Sequence, residues 1–364
     1  MAKKHHPQIK RGTPLQPAPP FGTPTIVKPP VTPPDQLTEL PRTYQELNDY
    51  AAAAGNFAPF VLRRETFLRI ERLTTRPLIC YAAKTQNLAP GIPAQIEDGD
   101  LTGFDDLVRT TPGTQVDVCL ISNGGSAEAT ERIVKLLRTH YATIRFLIPA
   151  NAYSAATLMC LSGDEIVMDD SATLGPIDPQ INGIPTRTIL RAFEQIKNQL
   201  KAEGPAALTA YMPLLSKYDL HMLELCKSAE DLSTELAAKW LSSYMFKCSL
   251  EEKRVTDVVK FLADYDLHKR HARGIDRSTA RSMGLNVIDT ESIGLGDLVK
   301  SLRNQYVLWF DQTPSIKTFE NARGINWGRN AQQLIMQVPP GFGPGGPFPV
   351  PQPAPQPGPA KRTG

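Results

Sequence analysis

Ser154 stands among alanines in PANAYSAATLM, directly after an apolar run, TIRFLIP. A hydroxyl in that place either caps a helix N-terminus or serves as a nucleophile. The small neighbours Ala152, Ala155 and Ala156 leave room for an acyl group beside it, which favours the second use. A nucleophilic serine also needs a base within hydrogen-bond reach and donors for the oxyanion it creates. Gly124 and Gly125, in SNGGSAEA, follow another apolar run, QVDVCLIS. Glycines let the chain turn and leave N–H groups uncovered. Their amides, together with that of Ala155, are therefore candidate oxyanion donors, although an ordinary strand-to-helix turn uses the same residues. Neither glycine spacing of a phosphate-binding loop is present.

Of the six histidines, His5 and His6 fall in the N-terminal tail. His140 ends a helical stretch and reads as a C-terminal capping cation. His221 has apolar neighbours in a helical segment and reads as packed there. That leaves His268 and His271, in LHKRHARGID, as the imidazoles available for a base.

The elements that must position these groups follow a repeating pattern. Short apolar runs at RPLICYAAKT, QVDVCLIS, TIRFLIP and DEIVMD read as buried strands, and amphipathic or small-residue helices separate them. In SNGGSAEATERIVKLLRTHY, Ser126 reads as the helix cap and Ile133, Leu136 and Leu137 as its apolar stripe. Right-handed βα crossovers with a mostly parallel sheet are the natural solution. From about residue 185 to 266 the pattern is helical only, an insertion of helices. HARGIDRSTARSMGLNVID reads as a turn, a short helix and an edge strand, and IKTFENARGINWGR as a final hairpin.

Composition bounds the rest. Of 33 prolines, 21 lie in residues 1–41 and 338–364, which are expected to be disordered, leaving 42–337 as the folded domain. A formal charge of +3 with interspersed signs does not favour nucleic acid. The five cysteines sit singly, without metal-type spacing, and read as reduced core residues of a cytoplasmic protein. No apolar run reaches the roughly eighteen residues that a membrane span needs.

Taken together, SNGG, SAAT, GDEIVM, LGPIDPQ and a histidine ahead of GID and SMGLNV resemble the serine dehydrogenase proteinase family, of the ClpP/crotonase fold. The resemblance covers residues 76–181 and resumes near 268–290. It implies an α/β protein that works as a serine protease without a cofactor, on a peptide or protein substrate, and as a homo-oligomer. It further implies Ser154 as nucleophile, Gly124, Gly125 and Ala155 as oxyanion donors, and His271 as base. Asp178, in GPIDPQ, either orients the histidine or caps the turn before Pro179. The chain departs from the family in carrying Ala156 where many relatives have glycine, and Ala272 where an acid follows the histidine. Two other functions stay open: an inactive scaffold whose proline-rich tails recruit partners, and a crotonase-like acyl-CoA enzyme that uses only the backbone donors.

Overall fold

The computed structural model describes residues 32–54, 58–89, 91–181, 183–204, 208–215, 220–248, 252–268 and 274–331. Two helices, α1 (Tyr44–Ala54) and α2 (Ala58–Thr74), lead into β1 (Leu78–Ala83), α3 (Leu101–Thr110), β2 (Gln115–Ile121) and α4 (Ala127–His140). Then come β3 (Thr143–Ile148), β4 (Asn151–Ala152), α5 (Ala155–Cys160), β5 (Glu165–Met168) and β6 (Thr173–Leu174). A short ribbon, β7 (Gln180–Ile181) and β8 (Ile184–Pro185), opens the helical stretch α6 (Thr186–Glu203), α7 (Leu208–Leu215), α8 (Leu220–Trp240), α9 (Glu252–Ala263) and α10 (Tyr265–His268). The chain returns through β9 (Ile275–Asp276), α11 (Arg277–Ser282) and β10 (Val287–Asp289), and continues with α12 (Gly296–Gln312), β11 (Ser315–Asn321) and β12 (Asn326–Asn330).

The main sheet runs β10-β5-β3-β2-β1-β11-β12. Its first five strands are parallel, and the final hairpin adds antiparallel to β1. The fold is thus the expected α/β type with a mostly parallel sheet, and β10 is an edge strand. Alternation along each strand divides the core. Ile79, Tyr81, Val116, Val118, Ile144 and Phe146 face α3, α4, α5, α8 and α9. Leu78, Cys80, Cys119, Leu147 and Val167 face α2 and α12. The latter helix, over GDLVKSLRNQYVLWFDQ, is one that the motif-based reading passes over.

Pairing between the ends of the chain closes this second layer. Arg63 of α2 makes a two-pronged bond to Glu320 of β11, at 2.8 Å and 2.6 Å, with both side chains wholly buried. Tyr306 donates to the same carboxylate at 2.7 Å. Pro34 and Leu40 are also buried, so the packed region begins ahead of residue 42. The rest of the proline-rich tails, residues 1–31 and 338–364, lies outside the described residues. Of the cysteines, Cys80, Cys119, Cys160 and Cys226 are buried free thiols, whereas Cys248 is exposed and not a core residue. Among the described residues no helix is long and apolar enough to cross a membrane.

Candidate active site

Both chemistry-bearing turns lie at the carboxyl ends of parallel strands, where open α/β sheets place their ligands. After β2 the chain passes through Ser122, Asn123, Gly124 and Gly125 before Ser126 caps α4, its Oγ accepting the Ala129 N–H at 3.0 Å. After β3 it passes through β4 and Tyr153 to Ser154, which precedes α5. The two turns are stitched together: Ser122 N–H donates to Asn151 O, and Tyr153 N–H donates to Ser122 O, each at 3.0 Å.

Ser154 is partly exposed and adopts φ +53°, ψ −122°, a conformation costly for any residue with a Cβ. Its side chain makes no helix-capping bond, so the capping role that its position allowed is not the one it performs. The helix behind it is buried throughout, from Ala155 to Cys160. The methyl of Ala156 is part of the apolar core and takes no space from the hollow in front of the serine.

Thr157 fixes this corner. Its hydroxyl reaches Ala152 O at 2.6 Å and Gly175 O at 2.9 Å, and accepts the Gly175 N–H at 2.9 Å. A Cβ on Gly175 would lie 2.8 Å from the Tyr153 ring, which explains a glycine in LGPIDPQ. Tyr153 OH in turn lies 2.8 Å from Thr173 Oγ1 on β6.

The candidate oxyanion donors differ in what their N–H groups already bond. Gly124, at φ +94°, uses its N–H internally, donating to Ser122 Oγ at 3.1 Å. Ile96 forms an isolated parallel bridge with Gly125, donating from its N–H to Gly124 O at 2.8 Å and accepting the Ser126 N–H at 2.9 Å. Among the described residues, neither the Gly125 N–H nor the Ala155 N–H has a backbone partner. The second of these is the open donor expected at the first position of a helix. Ile96, which shapes the turn, was not signalled by any motif, and Ser122 stood in SNGG without an assigned part.

Gly125, Tyr153 and Ser154 line a hollow of about 940 Å³, rimmed by the amides of Gln86, Asn123, Asn151 and Gln180. The rim is itself bonded: Asn151 Nδ2 donates to Asn123 Oδ1 at 2.8 Å, and Asn123 Nδ2 to Thr85 O at 2.9 Å. No imidazole, ammonium or carboxylate is among the described residues of its lining.

The histidines divide as follows. His268 is buried, with Nε2 2.8 Å from Phe261 O and its ring edge-on to Phe261, so it packs between α9 and α10. His140 is exposed, with Nδ1 3.0 Å from Leu136 O, at the end of α4. His221 is exposed as well, and not packed as its neighbours suggested. His271 lies outside the described residues. The chain resumes at Gly274, where a Cβ would lie 2.9 Å from Thr173 Cγ2, and β9 then pairs with β6. Asp178 is buried and lines a separate hollow of about 370 Å³, together with Arg187, Glu230 and Lys260.

One acidic group elsewhere brings three carboxylates within 4.8 Å, those of Asp169, Asp170 and Glu291. Lys300, Arg277 and Arg303 already pair with them, which makes the group an ion-pair network.

Residues 93–209 match the family of ClpP-like SDH-type serine proteinases. The match takes in both turns, Ser154 and Asp178, and agrees with the resemblance read from SNGG, SAAT and LGPIDPQ. An uncharacterized protein of Methanocaldococcus jannaschii is 36% identical over 104 residues, which is 28% of this chain and 36% of that protein. A second from the same organism is 31% identical over 138 residues, 37% of this chain and 47% of that protein. The chain thus spans less than half the length of the curated relatives it matches. Similar solved structures include ClpP1 of Listeria monocytogenes, at 10% identity and a TM-score of 0.33, covering 62% of this chain and 98% of that one. Another is a variant of the 1510-N membrane-bound stomatin-specific protease in complex with a substrate peptide, at 16% identity and a TM-score of 0.32, covering 65% and 84%. Scores of that size transfer no residue role to this chain.

Proposed function

We propose that the protein is a serine peptide hydrolase in which Ser154 attacks a carbonyl carbon and the amides of Gly125 and Ala155 receive the oxyanion. One observation carries this reading: a serine held in a strained conformation, without a capping bond, opens onto a hollow beside two main-chain N–H groups that have no backbone partner among the described residues. His271 is the proposed base, taking the Ser154 proton and returning it to the leaving amine, after which water releases the acyl group. Support comes from the chain around it, since Gly274 packs on Thr173, whose hydroxyl bonds Tyr153 beside the serine. Gly124 shapes the turn and its N–H serves Ser122. Asp178 is proposed as an anchor of the neighbouring hollow, leaving a serine–histidine dyad. The substrate is a peptide or protein, handled by a homo-oligomer.

Incubation with a fluorophosphonate tests the reading. The expected result is a single covalent adduct at Ser154, lost in Ser154→Ala and reduced at least tenfold in His271→Ala. A parent protein that stays unlabelled, or labels equally after Ser154→Ala, overturns it and leaves acyl binding or a scaffold role.

A further inference from the structure

We infer that Lys317 is a positioning residue for the Gly125 amide, acting through Glu97 and Asp100 on the main chain of Ile96. The inference rests on the reading of that amide as an oxyanion donor. Lys317, on β11, is fully buried, and its ammonium lies 3.1 Å from Glu97 Oε1 and 3.0 Å and 3.1 Å from the two oxygens of Asp100. Arg329 donates to the same Glu97 oxygen at 2.7 Å. Asp100 Oδ2 also accepts from Tyr81 OH at 3.0 Å and from the Glu97 N–H at 3.1 Å. The turn from Glu97 to Asp100 is therefore bolted to the sheet by two cations and a phenol.

Ile96 is the next residue back along the chain, and it supports the glycine turn from behind. Both hydrogen bonds of its bridge go to the residues flanking Gly125, namely Gly124 O and Ser126 N–H. Backbone groups alternate in direction along an extended chain, so the N–H of Gly125 faces away from Ile96. Gly125 and Ser154 line the same hollow. The contact is tight, because a Cβ on Gly125 would come within 2.3 Å of Ile96 O. A shift of Glu97 would thus move Ile96 and re-aim the donor.

Lys317 and Asp100 are wholly buried while the Glu97 side chain is 37% exposed, and a buried ion pair is a poor source of net stability compared with an apolar one. Burial pushes the Asp100 carboxyl above its ordinary range even with Lys317 opposing it. The cluster's place, one residue from the bridge that orients Gly125, gives it a reason other than stability.

Two substitutions in the full chain test the inference, Glu97→Gln and Lys317→Met. Hydrogen exchange at the Ile96 and Ser126 amides is expected to rise about tenfold or more. Exchange at the Asp164 amide, bonded to Ile144 O at 2.8 Å on the far side of the sheet, is expected to stay unchanged. The rate of fluorophosphonate labelling is expected to fall at least tenfold, in the direction of losing an oxyanion donor. Unchanged exchange at Ile96 and Ser126, or unchanged labelling once those amides have loosened, overturns the inference. Should Lys317→Met fail to fold, Glu97→Gln decides alone, since it keeps the lysine paired with Asp100. An unlabelled parent protein sinks the hydrolase reading instead, and the exchange measurement still reports on the link from Glu97 to Ile96.

Discussion

Gly124 lies directly against the carbon that bears the Ser154 hydroxyl: a β-carbon built on it would stand 2.7 Å from Ser154 Cβ and 2.5 Å from Tyr153 O. The position also requires φ +94°, so an alanine meets both a steric and a conformational penalty. Gly124→Ala is expected to destabilise the protein by about 1–3 kcal/mol and to slow labelling at Ser154 at least tenfold, as read by urea unfolding and by mass spectrometry of the adduct.

The conformation of Ser154 makes a separable prediction. Glycine accepts φ +53° and ψ −122° without steric cost, whereas alanine does not. Both Ser154→Gly and Ser154→Ala are expected to abolish labelling. The glycine variant is expected to be more stable than the alanine variant by about 1 kcal/mol, the strain relieved less the added freedom of the unfolded chain. Equal urea midpoints would show that the turn carries no strain.

Thr157 is expected to be needed for its oxygen. Thr157→Val keeps the shape but leaves the Gly175 N–H and the Ala152 carbonyl without that partner in a buried site. The Gly175 N–H still donates to Ala152 O at 3.1 Å, so the expected loss is that of the hydroxyl's own bonds, about 1 kcal/mol. Labelling is expected to slow, because Gly175 packs on Tyr153 next to the serine. Thr157→Ser is expected to restore most of both.

Stability should depend on pH through Asp164. Burial works to raise its carboxyl, but Lys247 at 2.8 Å, the Ile144 N–H at 2.9 Å and Arg138 at 3.0 Å overcome that and hold it below the usual 3.8. A depressed folded value means that the contribution is present above 3.8 and lost as pH falls through the folded value. Asp164→Asn is expected to lose about 1 kcal/mol at pH 7, allowing for solvent screening. The gap from the parent protein is expected to close in acid, as followed by urea unfolding at several pH values.

How far the sequence alone carries can be seen at the site. The strands, the glycine turn with its Ser126 cap and the serine at a helix start were legible because each is local, set by a run of apolar residues or by one capping oxygen. The final hairpin was legible for the same reason. The division of labour between Gly124 and Gly125 was not, since it depends on which amide Ser122 takes and on Ile96, which lies some thirty positions upstream. Lys317 was equally hidden: a lone lysine in a strand reads as surface charge until the fold brings Glu97 and Asp100 to it. His221 misled because helix neighbours in sequence are not neighbours in space. The last helix, α12, carries no chemical motif and drew no notice, yet it covers one face of the sheet.

The bond between Arg63 and Glu320 sets a limit on trimming the protein. A shortened form starting at β1 would retain every motif around Ser154, yet it would leave Glu320 without Arg63 and bare the sheet face that α2 covers. Losing one member of such a buried pair costs about 3–5 kcal/mol. The motifs around Ser154 therefore mark out a shorter piece than the one that carries the packing of the sheet's second face.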